Sequence, residues 1–509
     1  MFEKSPQWQE ACWIAKRRAH ISNLNWTMIR KVLSSMKDGD KWGRMVLPGG
    51  FLIPRICPAS HINKYGAERR AESGLDVTWH EFPPDKFDTH GGYRLLSEYI
   101  PALLKLIEEN PVLLNAFTFF KEDEILIQNF TDGSPKSRDH GMVNSYIKML
   151  NLLGFGASPT MMPLYWGGDF KEGSEAFKWI HMDIMNEDIA KLEATPINFL
   201  GQKRNIVILP AGDLAYQSHV LGHQGAAATY FSVYFIDVDR TCPMKDRKEA
   251  IRRDYNKAKE LGEKAQKKEE ELIATGLQGV KLHDAILEFC KTECFSQKDI
   301  PLLTICDRFA PDAPLHGKCS SIQALLTALF DFLSSSDFSA AIFHALSETF
   351  TKLTLNSVSR WIQSCYIDEE KDLTFRIVGN DADIFLRNFM DIVNVIQLVP
   401  NFSMTTLMDL KLRAFSFICG KVRAMSEIWE VLDMSKEENP ENIIDEFSSF
   451  GKDSLTIFSF FFPESNITPW MYTLCIDAPY FMRKLMENHG VGLGAASCQN
   501  GENEIKRKR

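Results

Sequence analysis

Two aspartates carry the chemistry this sequence offers. Asp213 follows a short apolar run, Ile206–Leu209, and a Pro-Ala-Gly break. Asp132 closes another such run, Glu124–Phe130 (EILIQNF), and Gly133 follows it. Apolar, β-branched runs of this length bounded by turn residues read as strands. Each acid therefore stands at the carboxyl end of a strand, where α/β sheets collect ligands and metals. If the two strands are sheet neighbours, both carboxylates lie on one edge and can share a divalent cation. Asp oxygens suit Mg²⁺, and a pair of such ions can clamp the attacking and leaving oxygens of a phosphodiester. Each acid also has a plainer reading. Asp213 is placed to N-cap the helix after it, the role that stretch alone favours, and Asp132-Gly133 is a turn dipeptide.

The elements around them follow from pattern. Leu214–Leu221 reads as a short helix that Gly222 ends, and Tyr230–Phe235 as a further strand. Gly168–Leu192 is an acidic, amphipathic helical region of the length a crossover between parallel strands requires. Earlier in the chain, Ile21–Ser35 reads as helix and Leu47–Pro58 as loop. Leu95–Ile107 and Val112–Phe120 read as helices broken at Asn110-Pro111. Lys245–Ile273 is a charged helix with a thin stripe of Ile251, Ala258, Ala265 and Leu272, expected to lean on the body. From Leu282 to about Phe462 the pattern is helical, with apolar residues at helical spacing in 322–333, 340–353, 382–398 and 405–429. Ile467–His489 is helical again. The expected class is α/β with a large all-α block.

Composition sets the bounds. The 509 residues, 45% hydrophobic and 25% charged, suit a soluble globular protein of two to four domains. No apolar run approaches a membrane span and the first thirty residues carry charges throughout, so neither a signal peptide nor a transmembrane helix is expected. The eleven cysteines are scattered without a CxxC pair, which fits a reducing, intracellular compartment. Residues 1–75 hold thirteen Lys and Arg against six Asp and Glu, a local +7 in a chain of net charge −9. A basic arm on an acidic body suits a polyanion such as DNA, although charge counting alone favours a solvated face. Lys506-Arg507-Lys508-Arg509 reads as a nuclear address or as a polar tail.

A strand followed by Asp-Gly, a later strand with Gly-Asp, a large helical block and a terminal Ser-x-Gln-x-x-Glu together resemble the RNase H-fold DDE transposases. More narrowly they resemble the group containing Transib-type transposases and the catalytic subunit of the V(D)J recombinase. Cys306–Leu333, with Asp312, Leu315 and His316, resembles that group's Pro-Asp-x-Leu-His stretch. Phe375–Asn380 and Ile467–Gln499 are similar to further segments, the latter through Ile467-Thr468, Pro479, Gly492 to Ala496 and Ser497. The similarity covers most of residues 120–509 as sparse motifs in order. It implies an RNase H-like mixed sheet with a helical domain inserted before the last catalytic helix. It also implies Asp132, Asp213 and Glu502 as catalytic and metal-ligating acids holding Mg²⁺ or Mn²⁺, with Glu504 close to the last and Cys498 where some relatives carry the acid.

The resemblance has departures. Relatives hold a structural zinc at positions that correspond here to Ser232, Phe235, Tyr472 and Asp477, a set that cannot build a tetrahedral site. No zinc is expected, and packing of Phe235 on the helix of Tyr472 is the expected substitute. His219 and His223, four residues apart, could pair on a helix face. The domain organisation implied is 1–80 (basic, DNA-contacting), 81–240 (helical lead-in and RNase H-like core), 241–465 (helical insertion) and 466–509 (return helix and glutamate segment). Two functions of different class follow. The first is a nuclear, metal-dependent DNA transposase or recombinase, acting on double-stranded DNA as a homodimer. The second is a catalytically inactive, repurposed scaffold that binds DNA or protein.

Overall fold

A computed structural model describes residues 77–135, 141–153, 164–239, 248–311, 313–367, 375–399, 404–429 and 436–495, with residues 12, 45–46 and 52–53. The chain divides into two units, residues 1–79 with 94–110 and residues 80–93 with 111–509. In the first unit β1 (Met45–Val46) and β2 (Leu52–Ile53) pair antiparallel, so the expected loop at 47–58 contains a two-residue strand. Helix α1 (Leu96–Glu109) buries Leu96, Tyr99, Ile100, Leu103, Leu104 and Ile107, spaced three and four apart as an amphipathic helix requires. The expected helix at 21–35 and most of the basic arm lie outside the described residues.

The second unit is built on a mixed seven-stranded sheet. Its order is β3 (His80–Glu81), β4 (Gly91–Tyr93), β7 (Leu164–Gly168), β6 (Gly141–Met149), β5 (Glu124–Pro135), β9 (Gln202–Gly212) and β8 (Ile197–Phe199). Neighbours are antiparallel except β5 and β9, which run parallel. The β5–β6–β7 meander leads into α3 (Glu175–Trp179), a π-helical turn (Ile180–Met185) and α4 (Asn186–Ala194), the crossover that lets β9 return beside β5. Ile125–Phe130 of β5 are all buried, as a central strand covered on both faces must be.

Three sequence expectations are corrected here. Asp132-Gly133 is not a turn, because β5 runs on to Pro135 and stays paired with β6 as far as Pro135 opposite Gly141. Tyr230–Phe235 forms no strand; Phe235 makes one isolated bridge to Arg252 while Phe231, Tyr234 and Phe235 are buried. Their β-prone side chains serve packing, not a ladder. Val112–Phe120 is helical only as α2 (Pro111–Asn115), since Phe117 bridges to Leu152 and its ring packs 4.9 Å from that of Phe199.

Beyond β9, α5 (Leu214–Leu221) ends at Gly222, whose φ of 68° is the left-handed cap that glycine adopts without strain. Helices α6 (Tyr255–Ala274) and α7 (Gly279–Glu293) follow. Next come α8 (Ala313–Ser334), α9 (Ser339–Lys352), α10 (Asn356–Ile362), α11 (Gly379–Gln397), α12 (Thr406–Trp429) and α13 (Pro440–Phe461). Phe330 of α8 centres a ring cluster with Phe343, Phe350, Trp361 and Tyr366 at 5.4–6.2 Å between centroids. The chain then returns to the sheet through α14 (Pro469–Tyr472), a second π-helical turn (Thr473–Asp477) and α15 (Ala478–His489). His489 Nδ1 lies 2.9 Å from Glu124 Oε2 at the start of β5, and Lys148 Nζ of β6 donates to the Ala495 carbonyl at 2.9 Å. The molecule is thus an α/β protein with an extensive helical part. No helix among the described residues is long and apolar enough to cross a membrane.

Candidate functional site: a carboxylate cluster on two parallel strands

The parallel register of β5 and β9 places Thr131 opposite Gly212, so Asp132, within β5, and Asp213, the first residue after β9, come next. Adjacent strands lie about 5 Å apart, which puts the two acids side by side. Asp213 also caps α5: its Oδ1 accepts from the Tyr216 N–H at 2.8 Å. The capping role and the cluster are compatible, because the cap uses one carboxylate oxygen and leaves the other for a ligand. Asn ranks with Asp as an N-cap, whereas Ala forfeits about 1 kcal/mol. Asp213→Asn should therefore unfold in denaturant about 1 kcal/mol later than Asp213→Ala. Equal midpoints for the two variants would remove the cap from the account.

A third carboxylate, which no motif pointed to, joins them. Glu172, in the turn between β7 and α3, accepts a hydrogen bond from the Gly133 backbone and is held up to about 7 by burial, then by the charges of Asp213 and Asp132. A Cβ at position 133 would stand 2.5 Å from Glu172 Oε1, so the carboxylate occupies the space that a side chain at Gly133 would fill. The repulsion has a sign that can be measured. The Glu172 carboxyl is raised from 4.5 to about 7, so between those values the folded chain binds more protons than the unfolded chain. Stability must then fall as pH rises through that window. After discounting for partial solvation the loss is about 1–2 kcal/mol. Denaturant titrations of Glu172→Gln without divalent ions should lack this slope, and superimposable pH profiles for variant and wild type would refute the coupling.

Behind the acids runs a buried polar chain. Asn129 Nδ2 donates to Ser145 Oγ at 2.7 Å, Thr131 Oγ1 lies 2.9 Å from the same oxygen, and Thr131 also bonds the Tyr216 hydroxyl. His181 Nδ1 sits 2.7 Å from the Phe177 carbonyl, so it carries the proton, and Nε2 accepts from the Tyr216 hydroxyl at 3.0 Å. Burial lowers His181 to about 4 and keeps the ring neutral. The chain ties β5, β6, the crossover and α5 together, which fixes the part of β5 that carries Asp132 and the helix start that carries Asp213.

The remaining sequence candidates scatter. His219 is exposed; partial desolvation lowers its pKa, then Lys298, with Asp213 acting in the opposite sense, so it borders the acids. His223 does not pair with it. Its Nε2 faces the Tyr230 carbonyl at 2.8 Å and its Nδ1 accepts from the Gly225 N–H at 3.0 Å, leaving no nitrogen for a metal. At the four positions compared with a zinc site, Ser232 Oγ accepts from the Tyr234 and Phe235 N–H groups, and Asp477 is buried. Tyr472 packs on Phe231 at 4.9 Å, while Phe235 packs on Tyr480 at 5.3 Å. Phe235 thus packs, as expected, on the helical run that begins with Tyr472, through Tyr480 and Phe481. Arg252 stacks into this aromatic seam, 4.7 Å from the Phe481 ring. His316 stacks on Trp470 at 5.0 Å. Asp312, Cys498, Glu502 and Glu504 lie outside the described residues, as does the side chain of Leu315.

Among the described residues no three His, Cys, Asp or Glu side chains are grouped so as to hold a metal ion together. Enclosing an ion therefore requires rotation of Glu172 toward the aspartates or a ligand from outside that set. The donor chemistry fits a hard cation: three carboxyl groups within electrostatic reach, one of them raised by burial and then by the other two. No protein-family model matches the chain, and no curated protein matches it either.

Proposed function

We propose that the chain is a DDE-type transposase or recombinase relative that cleaves and transfers DNA phosphodiesters with Mg²⁺ or Mn²⁺. The observation that carries this reading is the parallel pairing of β5 with β9, which sets Asp132 beside Asp213 with Glu172 against both. An antiparallel meander, a helical crossover and a strand returning beside the first, with an acid on each of the two parallel strands, is the arrangement expected of an RNase H-like core. On this reading the helical residues from α6 to α13 are an insertion, since the chain before and after them meets the sheet. The resemblance would add Glu502 as the third acid, which lies outside the described residues.

Bound Mg²⁺ or Mn²⁺ would supply Lewis-acid activation of a water or DNA 3′-hydroxyl and would stabilise the leaving oxygen. Asp132 and Asp213 would hold it from adjacent strands, the second fixed in orientation by its cap. Glu172, half protonated near neutrality, would yield its proton as a cation arrives. The basic residues 1–75 would contact double-stranded DNA, with the protein acting as a homodimer in the nucleus.

The alternative is an inactive scaffold derived from such an enzyme, favoured by the aromatic seam at positions where relatives carry zinc ligands. A plasmid assay separates the two. Full-length protein with Mn²⁺ should convert supercoiled DNA to open circle, and chelation or Asp132→Asn should abolish it. Wild-type nicking no greater than that of Asp132→Asn would leave the scaffold.

A further inference from the structure

Well away from the carboxylates in sequence, helices α8, α11 and α12 border an open hollow of about 280 Å³ lined by Lys318, Asp383, Leu386, Arg387, Arg423, Ser426 and Glu427. Three cationic groups thus meet two carboxylates around a buried apolar residue, Leu386. Lys318 is the unusual member, because its side chain is only 8% exposed and lysine is rarely buried so far unless its charge is met. It pairs with Asp383, whose carboxylate is 41% exposed. Among the described residues that is its one partner, while an ammonium has three donors to place. Arg387, one turn along α11, gives its Nε to the Asp383 carbonyl at 3.2 Å and has no acidic partner among the described residues. Arg423 gives its Nε to Glu427 at 3.1 Å. Each guanidinium therefore keeps the fork of two terminal nitrogens that matches two oxygens of one anion.

We infer that this hollow is a binding site for a small phosphate-bearing anion, held by the Lys318 ammonium and the Arg387 and Arg423 guanidinium groups. The excess of donors over acceptors calls for a ligand that only accepts, and an anion corrects the local charge surplus as well. The volume is that of a pocket for a small molecule. Three cationic groups around so small a hollow match one compact phosphorylated compound, whereas a duplex backbone would need a longer row of them. The inference is independent of the nuclease reading, because none of these residues belongs to the carboxylate cluster.

The test uses the full chain without divalent ions, with pyrophosphate as probe in calorimetry. One saturable site is expected, weakened about tenfold or more in Arg387→Ala and again in Arg423→Ala, since each removes a charge-assisted pair. Both arginines are on the surface, so the variants should fold, and their melting curves check this. Lys318→Met is the third variant, read only if it melts as wild type does. Absence of saturable binding would overturn the inference, as would binding unchanged in both arginine variants. A short DNA duplex is the last arm: failure to displace pyrophosphate is expected, and displacement would overturn the assignment to a small ligand.

Discussion

Arg253→Ala is expected to cost about 4 kcal/mol or more, enough to remove much of the stability of an ordinary domain. Arg253 is 1% exposed, and its hydrogen bonds among the described residues go to neutral acceptors. Its Nη1 donates to Gln297 Oε1 at 2.7 Å, and its Nη2 faces the carbonyls of Phe295, Ser232 and Phe235 at 3.2, 3.3 and 3.4 Å. Burial, then the neighbouring Arg252, lowers this guanidinium to about 9, so it remains charged near neutrality. Truncation would strand four acceptors, three of them buried and each worth roughly 1–3 kcal/mol if left unmet, and would open a large cavity as well. Losing an isolated buried charge offsets part of that, which is why the expected loss is smaller than the sum. Arg253→Lys should recover only a fraction, because a single ammonium cannot span the fork. A thermal midpoint for Arg253→Ala within a few degrees of wild type would show that the acceptors find other partners.

The second large effect concerns the acids. Asp132→Asn and Asp213→Asn should each lower Mn²⁺-dependent DNA cleavage by about 10³-fold or more while leaving the melting temperature near that of wild type. An amide keeps the shape of the carboxylate and, at 213, the cap, but removes the charge that would anchor a divalent ion. Metal activation of an attacking oxygen is worth several kcal/mol, and each 1.36 kcal/mol is a decade in rate. Glu172→Gln should fall between these variants and wild type, since its carboxylate borders the pair and does not sit on either parallel strand. Full cleavage by Asp213→Asn would reduce that residue to a helix cap.

The contrast between what was and was not legible has a physical basis. Glu124–Phe130 and Ile206–Leu209 announce their strands because both are apolar runs bounded by turn residues, and the Asp213 cap follows from a local rule. The helices between 313 and 429 show in the 3.6-residue period. By contrast, the extension of β5 through Asp132 depends on cross-strand bonds to Gly141–Met149, so a local Asp-Gly rule mistook strand for turn. The Tyr230–Phe235 segment has strand composition and no strand partner, its aromatics being taken up by Arg252 and α15. Glu172 was invisible for a different reason. It stands in a Lys-Glu-Gly turn with no pattern of its own, and only the folding of β7 and α3 brings it to Gly133. The one local hint was Gly133 itself, a residue without a side chain beside an acid.

The most direct test of the central claim is calorimetric titration of purified full-length protein with Mn²⁺, wild type beside Asp132→Ala and Asp213→Ala. Saturable binding in wild type, lost in both variants, with protons released as Glu172 gives up its own, is the predicted result. Wild-type protein that binds no Mn²⁺, or binding that survives both substitutions, would contradict a shared metal site and leave the carboxylates as a helix cap and its neighbours.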